Sequence, residues 1–202
     1  MTSKTPGLLL IISGPSGVGK TTITHRVERE LDAVFSISMT TRPKTAKDKE
    51  GSDYTFVTED EFERHRDAGD LLEWAEVFEH YYGTPREPVE RSLAEGRIVI
   101  LEIDVQGAVQ VKRNMPDAFA VFILPPGEDA LLERLRKRKR EDEATIQRRF
   151  AKAKQEIARA RESGVYDVFI VNDELEHAVA ETLRIIRKEV ARRVQRDESE
   201  PS

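Results

Sequence analysis

The chain has no cysteine. Disulfides, Cys-ligated zinc, iron–sulfur clusters and thiol catalysis are therefore excluded, and the composition fits a reducing compartment. Aromatic residues are scarce, at 6%, with Trp74 the single tryptophan. No stretch is apolar over the length a membrane helix needs, and the run at residues 8–12 is too short for a signal-peptide core. Net positive charge is missing too: Lys+Arg total 33 against Asp+Glu 38, a formal charge of −5. A general nucleic-acid binder normally carries the opposite balance. The four histidines, His25, His65, His80 and His177, show no metal-ligand spacing and read as surface or packing residues.

What remains is a highly charged globular chain of 202 residues, 38% hydrophobic and 35% charged, expected in the cytoplasm and away from membranes. Its length suffices for one core domain, with room for inserted segments. Short apolar runs at 8–13, 34–38, 98–104, 119–124 and 168–171 read as strands. They lack alternation, as parallel strands covered on both faces do. Helical patterns lie between them, at 21–31, 106–114, 129–136, 145–163 and 175–194. In the last, Leu175, Val179, Leu183, Ile186, Val190 and Val194 form an apolar stripe. This alternation predicts an α/β fold, a parallel sheet flanked by helices.

Two stretches break the rhythm. Residues 39–96 are more polar and carry the aromatic clusters; they read as an inserted subdomain with a small mixed or antiparallel sheet (54–57, 72–77, 81–83), Trp74 in its core. Residues 136–144 are almost entirely charged and read as an exposed, mobile flap. The acidic end, 197–202, reads as a disordered tail, and residues 1–7 as a short polar extension.

Gly14-Pro15-Ser16-Gly17-Val18-Gly19-Lys20-Thr21 fits G-x-x-x-x-G-K-[ST] between an expected strand and an expected helix. Glycines let backbone N–H groups turn inward around a phosphate, and the helix N-terminus adds partial positive charge. Lys20 reaches the outer phosphates, and the Thr21 hydroxyl is a ligand for Mg²⁺. The motif implies a nucleoside triphosphate. By itself it chooses neither the base nor between hydrolysis and transfer.

Further segments carry a more specific signal. Ser38-Met39-Thr40-Thr41-Arg42-Pro43, Gly51-Ser52-Asp53-Tyr54-Thr55-Phe56, Leu72-Glu73-Trp74-Ala75-Glu76-Val77, Tyr81-Tyr82-Gly83-Thr84, Leu101-Glu102-Ile103-Asp104-Val105-Gln106-Gly107, Phe122-Ile123-Leu124-Pro125-Pro126 and Ile170-Val171-Asn172-Asp173 follow in order over nearly the whole chain. With the phosphate loop they resemble guanylate kinases of the bacterial type. The resemblance implies a P-loop NTPase core (8–38 and 97–196), an inserted GMP-binding subdomain (39–96), a lid (136–150), and transfer of the ATP γ-phosphate to GMP. It also implies roles. Arg42, Tyr54 and Tyr82 hold the GMP phosphate; Ser38, Glu73, Thr84 and Asp104 read the guanine; Lys20, Arg138 and Arg149 act on the transferring group, and Asn172 contacts adenine. Mg²⁺ accompanies ATP, with Thr21 and Glu102 beside it.

The residue chemistry agrees with these roles. A nucleotide monophosphate is a dianion, and an arginine fork with tyrosine hydroxyls suits it. Guanine presents N1–H and N2–H₂ donors where adenine presents an N1 acceptor, so the Glu73 carboxylate favours guanine. The run Arg134-Leu135-Arg136-Lys137-Arg138-Lys139-Arg140, flanked by Glu133, Glu141, Asp142 and Glu143, suits a lid over phosphates better than a polyanion track.

Three departures from the family pattern stand out. Thr-Thr-Arg-x-Pro-Arg becomes Thr40-Thr41-Arg42-Pro43-Lys44-Thr45, with Thr45 at the second arginine and Lys44 expected to take its role. Glu102 replaces an aspartate. Lys137 and Lys139 replace lid glycines. These departures leave a related kinase with another phosphorylated acceptor, or a non-catalytic binding module of the same fold, as alternatives. The complete phosphate loop opposes the module.

Overall fold

The computed structural model describes residues 6–46, 48–51, 54–77, 79–137 and 142–199. In chain order its elements are β1 (Leu8–Ser13), α1 (Lys20–Glu30), β2 (Val34–Phe35), β3 (Met39–Thr40), β4 (Thr55–Phe56), α2 (Glu59–Ala68), β5 (Leu71–Val77), β6 (His80–Pro85), α3 (Arg86–Ala94), β7 (Ile98–Glu102), α4 (Val105–Asn114), β8 (Phe119–Leu124), α5 (Glu128–Lys137), α6 (Glu143–Ser163), β9 (Val168–Val171) and α7 (Leu175–Ser199).

All of β1 is buried because helices cover both of its faces. Leu8, Leu10 and Ile12 enter one apolar layer with Ile23, Val27 and Ile186 of α1 and α7. Leu9 and Ile11 enter the other, with Val105, Ala108 and Val111 of α4. A strand with two dry faces needs apolar side chains at every position, which explains the unbroken run in the sequence. β1 sits at the centre of a five-stranded parallel sheet ordered β2-β7-β1-β8-β9. Its neighbours on either side come from distant parts of the chain. The crevice beyond the carboxyl end of β1 is where such sheets bind ligands.

The second sheet, ordered β4-β3-β6-β5, belongs to the insertion. It is mixed: β3 and β4 are parallel, while β3 with β6 and β5 with β6 are antiparallel. Phe62, Met39 and Leu71 form its apolar centre. Trp74, expected there, is instead 36% exposed with the Arg66 guanidinium 5.5 Å over its ring. Its position on an edge strand puts one face of the indole in solvent.

Two helices of the insertion were not anticipated. α2 begins with a capping box: the Thr58 hydroxyl accepts from the Glu61 N–H at 3.2 Å, and the Glu61 carboxylate accepts from the Thr58 N–H at 3.0 Å. Its charged sequence buries only Phe62, so no apolar stripe marked it. α3 likewise buries a single residue, Val89, and carries Pro88 in its first turn, where proline is tolerated.

Element ends also differ from expectation. β2 covers two residues rather than 34–38. β7 stops at Glu102 because Asp104 caps α4, its carboxylate accepting from the Gly107 N–H. α7 continues to Ser199, so Asp197, Glu198 and Ser199 are helical rather than part of a disordered tail. The expected flap is narrower than 136–144: Arg136 and Lys137 end α5, and Glu143 and Ala144 open α6 behind an Asp142 cap. Residues 138–141 lie outside the described residues. Among the described residues, no helix is long and apolar enough to cross a membrane.

Candidate active site

The site starts where β1 ends. Residues 14–19 turn back over the sheet and deliver Lys20 into the first turn of α1. Gly17 and Gly19 take φ of 89° and 94°, backbone that L side chains rarely adopt. A Cβ on Gly19 would also lie 2.6 Å from the Asn172 amide nitrogen. Pro15 and Val18 are buried and shape the loop through packing, the Val18 N–H donating to the Pro15 carbonyl at 3.3 Å. The Lys20 ammonium donates to the Gly14 carbonyl at 3.1 Å and lies 3.9 Å from the Glu102 carboxylate.

Asn172 follows β9 and is 3% exposed. Its Nδ2 donates to the Val18 carbonyl at 2.7 Å, so it props the loop from below instead of facing the crevice. Thr21 donates to Glu102 Oε1 at 2.9 Å. This hydroxyl and carboxylate are hard oxygen donors of the kind Mg²⁺ takes. No group of three or more His, Cys, Asp or Glu suited to a metal occurs among the described residues. The donor set therefore fits an ion that arrives with its own phosphate oxygens rather than one caged by the protein. A cleft of about 310 Å³ opens here, with Lys20, Thr21, Glu102, Asp104 and Glu156 among its walls.

A second cluster lies in the insertion. Glu73 on β5 and Thr84 on β6 are cross-strand partners, and the Thr84 hydroxyl donates to Glu73 Oε1 at 2.6 Å. Glu73 is 7% exposed. Burial, reinforced by the negative charge of Asp104, raises its carboxyl to about 7, against the opposing Thr84 hydrogen bond. Two acidic groups thus act on one another here, and among the described residues no cation is paired with Glu73.

Arg42, just after β3, points at Asp48 with a two-toothed contact of 2.9 and 3.1 Å. Its guanidinium also lies 5.4 Å from the ring centres of both Tyr54 and Phe56. Tyr82 meets Tyr54 edge-on at 5.7 Å. Asp48 is held well below the usual carboxylate range by Arg42 and by the Thr45 hydroxyl and N–H, each 2.7 Å away. Lys44 lies over the same Phe56 ring at 5.7 Å and pairs with Glu50 at 3.3 Å. Ser38 sits at the start of β3, its carbonyl accepting from the Thr55 N–H at 2.9 Å. The structure thus brings Arg42, Lys44, Tyr54 and Tyr82 into one cluster, with Arg42 and Lys44 paired to Asp48 and Glu50, and sets Glu73 and Thr84 under the influence of Asp104.

A profile described as guanylate kinase matches residues 7–189. A guanylate kinase of Myxococcus xanthus is 45% identical over 195 residues, which cover 96% of this chain and 92% of the relative. One of Symbiobacterium thermophilum is 47% identical over 195 residues, with 96% and 91% covered. The crystal structure of guanylate kinase from Anaplasma phagocytophilum matches with a TM-score of 0.69 at 34% identity, over 92% of this chain and 87% of that one. The chain belongs to the guanylate kinase family. It is a kinase, and its fold is the α/β fold with a parallel sheet flanked by helices that the sequence predicts.

In this guanylate kinase family member α6 touches the phosphate loop. Arg149 on α6 donates to the Ser16 hydroxyl. Arg138, expected beside it, lies outside the described residues. Motif reading missed two groups. Asp48 is the anion that Arg42 holds, and Glu156 stands in the crevice wall with its carboxyl raised by burial. Glu156 was detectable in principle: Arg149, Lys152 and Glu156 follow at spacings of three and four and therefore share one face of α6. Asp48 carried no such signal, because its role depends on how a loop folds back onto Arg42.

Proposed function

We infer that the chain transfers the γ-phosphoryl group of ATP to GMP, and to dGMP, giving ADP and the corresponding diphosphate. One observation carries this reading: Asp104, which lines the cleft together with a complete phosphate loop, also bears on the buried Glu73–Thr84 pair. Only a base with two adjacent donors satisfies such a carboxylate, and guanine supplies N1–H and N2–H₂. Adenine would set an acceptor against it, leaving buried polar groups opposed.

The phosphate loop and Lys20 hold the β- and γ-phosphates of ATP. Arg42, with Lys44, Tyr54 and Tyr82, holds the acceptor phosphate; Ser38 contributes at the base. An oxygen of that phosphate attacks the γ-phosphorus, and the bond to the β-phosphate oxygen breaks as the new one forms. Charge spreads over the equatorial oxygens in transit, and Lys20, Arg149 and Arg138 are the cations available to meet it. When bound, Mg²⁺ neutralises charge on the ATP phosphates, with Thr21 as its protein ligand and Glu102 orienting Thr21. The setting is the cytoplasm, which a cysteine-free chain suits.

The test is ADP production from ATP and Mg²⁺ with GMP, dGMP, AMP, CMP and UMP in turn. Turnover confined to the two guanine nucleotides is expected. Equal turnover with AMP would overturn the base-reading role of Glu73. No turnover with any acceptor, despite ATP binding, would point to a binding module.

A further inference from the structure

β5 is an edge strand: its sheet partner is β6, and its other edge carries unpaired backbone groups. That edge is met by α4 rather than by another strand. Gln110 Oε1 accepts from the Trp74 N–H at 3.2 Å, and Gln110 Nε2 donates to the Trp74 carbonyl at 2.9 Å. Asn114 Nδ2 donates to the Leu72 carbonyl at 2.7 Å. A carboxamide presents one acceptor and one donor side by side, as a peptide group does. Gln110 therefore completes the ladder at Trp74 in a way no carboxylate or ammonium can.

The residue between the two tied positions is Glu73. On the same face of α4, one turn earlier, stands Gly107. A Cβ there would lie 2.8 Å from Glu73 Oε2, and the Gly107 N–H holds Asp104 Oδ1 at 2.9 Å. Gly107, Gln110 and Asn114 are spaced by three and four, so one stripe of α4 touches β5 throughout.

We propose that Gly107, Gln110 and Asn114 are positioning residues that fix the separation of Glu73 and Asp104, and through it the enzyme's selection of guanine. The proposal rests on the assignment of Glu73 and Asp104 as base readers. Two carboxylates of like charge move apart unless something holds them. α4 does so mechanically, since it carries Asp104 at its cap and clamps the strand that carries Glu73. The insertion and the core are thereby joined at the base pocket itself.

The experiment measures steady-state kinetics and the pH profile of kcat/KM for GMP in the Gln110→Met, Asn114→Leu and Gly107→Ala variants, with Glu73→Gln as the reference. The clamp predicts that KM for GMP rises about tenfold in each, on the scale of a lost hydrogen bond or two, while KM for ATP stays within about twofold. It also predicts that the acid limb of the pH profile moves to lower pH in Gln110→Met, because a loosened Glu73 gains water and loses the influence of Asp104. A merely structural role would not move that limb. Gly107→Ala removes no hydrogen bond but sets a Cβ 2.8 Å from Glu73 Oε2, so it shifts Glu73 against Asp104 directly and remains informative if the other two variants fail to fold. Unchanged GMP KM and acid limb in folded variants, with Glu73→Gln impaired, would overturn the clamp. An unimpaired Glu73→Gln would instead overturn the base-pocket assignment beneath it.

Discussion

Glu73 titrates near neutrality because it is buried, and its behaviour follows from that. Its carboxyl stands at about 7 in the folded chain, raised from the ordinary 4.5. The charged form is the one that accepts guanine's donors, so KM for GMP should rise as pH falls below about 7. Guanine binding also favours the charged form, so GMP uptake should release protons between about pH 5 and 7. Calorimetry in buffers of different ionisation enthalpy measures this, and guanosine, which lacks the phosphate that itself titrates at about 6, isolates the part that Glu73→Gln should abolish. Stability carries the opposite sense. A carboxyl raised on folding contributes stability below about 4.5, and that contribution is lost as pH rises through 7. Glu73→Gln should therefore gain in unfolding temperature relative to the parent at pH 8 and lose that advantage near pH 4. If the proton release with guanosine survives in Glu73→Gln, another group is responsible. A carboxylate at position 73 was readable as a candidate partner for guanine's donors, whereas its burial and the influence of Asp104 were not, since both depend on α4 crossing β5.

The phosphate loop is legible as an element because its constraint is local. Glycines at positive φ, a strand before and a helix after are all written in adjacent residues. α2 and α3 are the contrary case. Each buries one side chain, so the periodic apolar signal is absent, and only the Thr58–Glu61 cap marked a start. Asn172 shows a third situation: its place in the series was readable, but its contact was not. It was expected at adenine, and it props the Val18 carbonyl from beneath. The two roles separate experimentally. Asn172→Ala should weaken ATP and GTP alike, by about tenfold for one lost buried hydrogen bond, because the loop beneath the phosphates loosens. Displacement of a fluorescent triphosphate analogue measures both affinities. A loss confined to ATP would restore the adenine contact and remove the supporting role.

At the scale of the whole molecule, the cleft is walled by the phosphate loop, by Glu102 at the end of β7 and Asp104 just after it, and by Glu156 of α6. The −5 total disguises a local separation of charge, since Lys20 stands in the cleft wall with Glu102, Asp104 and Glu156 while Glu73 is buried. The order of segments along the chain made the crevice legible before its geometry was known; the contact between lid and loop was not, because Ser16 and Arg149 are 133 residues apart. That contact decides what the lid does. If α6 only covers the site, losing one arginine should leave the chemical step intact and speed ATP hydrolysis by water. If Arg149 meets the charge that spreads over the moving phosphoryl group, its loss should fall on kcat. The position of Arg149 against the phosphate loop, one turn from Lys152 and two from Glu156, favours the second. Arg149→Met keeps the apolar stem and removes the charge. We expect kcat to fall by about a thousandfold or more, the lower range for a phosphoryl-transfer arginine, with KM for GMP changed less than about threefold. Single-turnover kinetics of GDP formation isolate the step. A variant with near-normal single-turnover rate but faster ATP loss in the absence of GMP would reduce α6 to a cover.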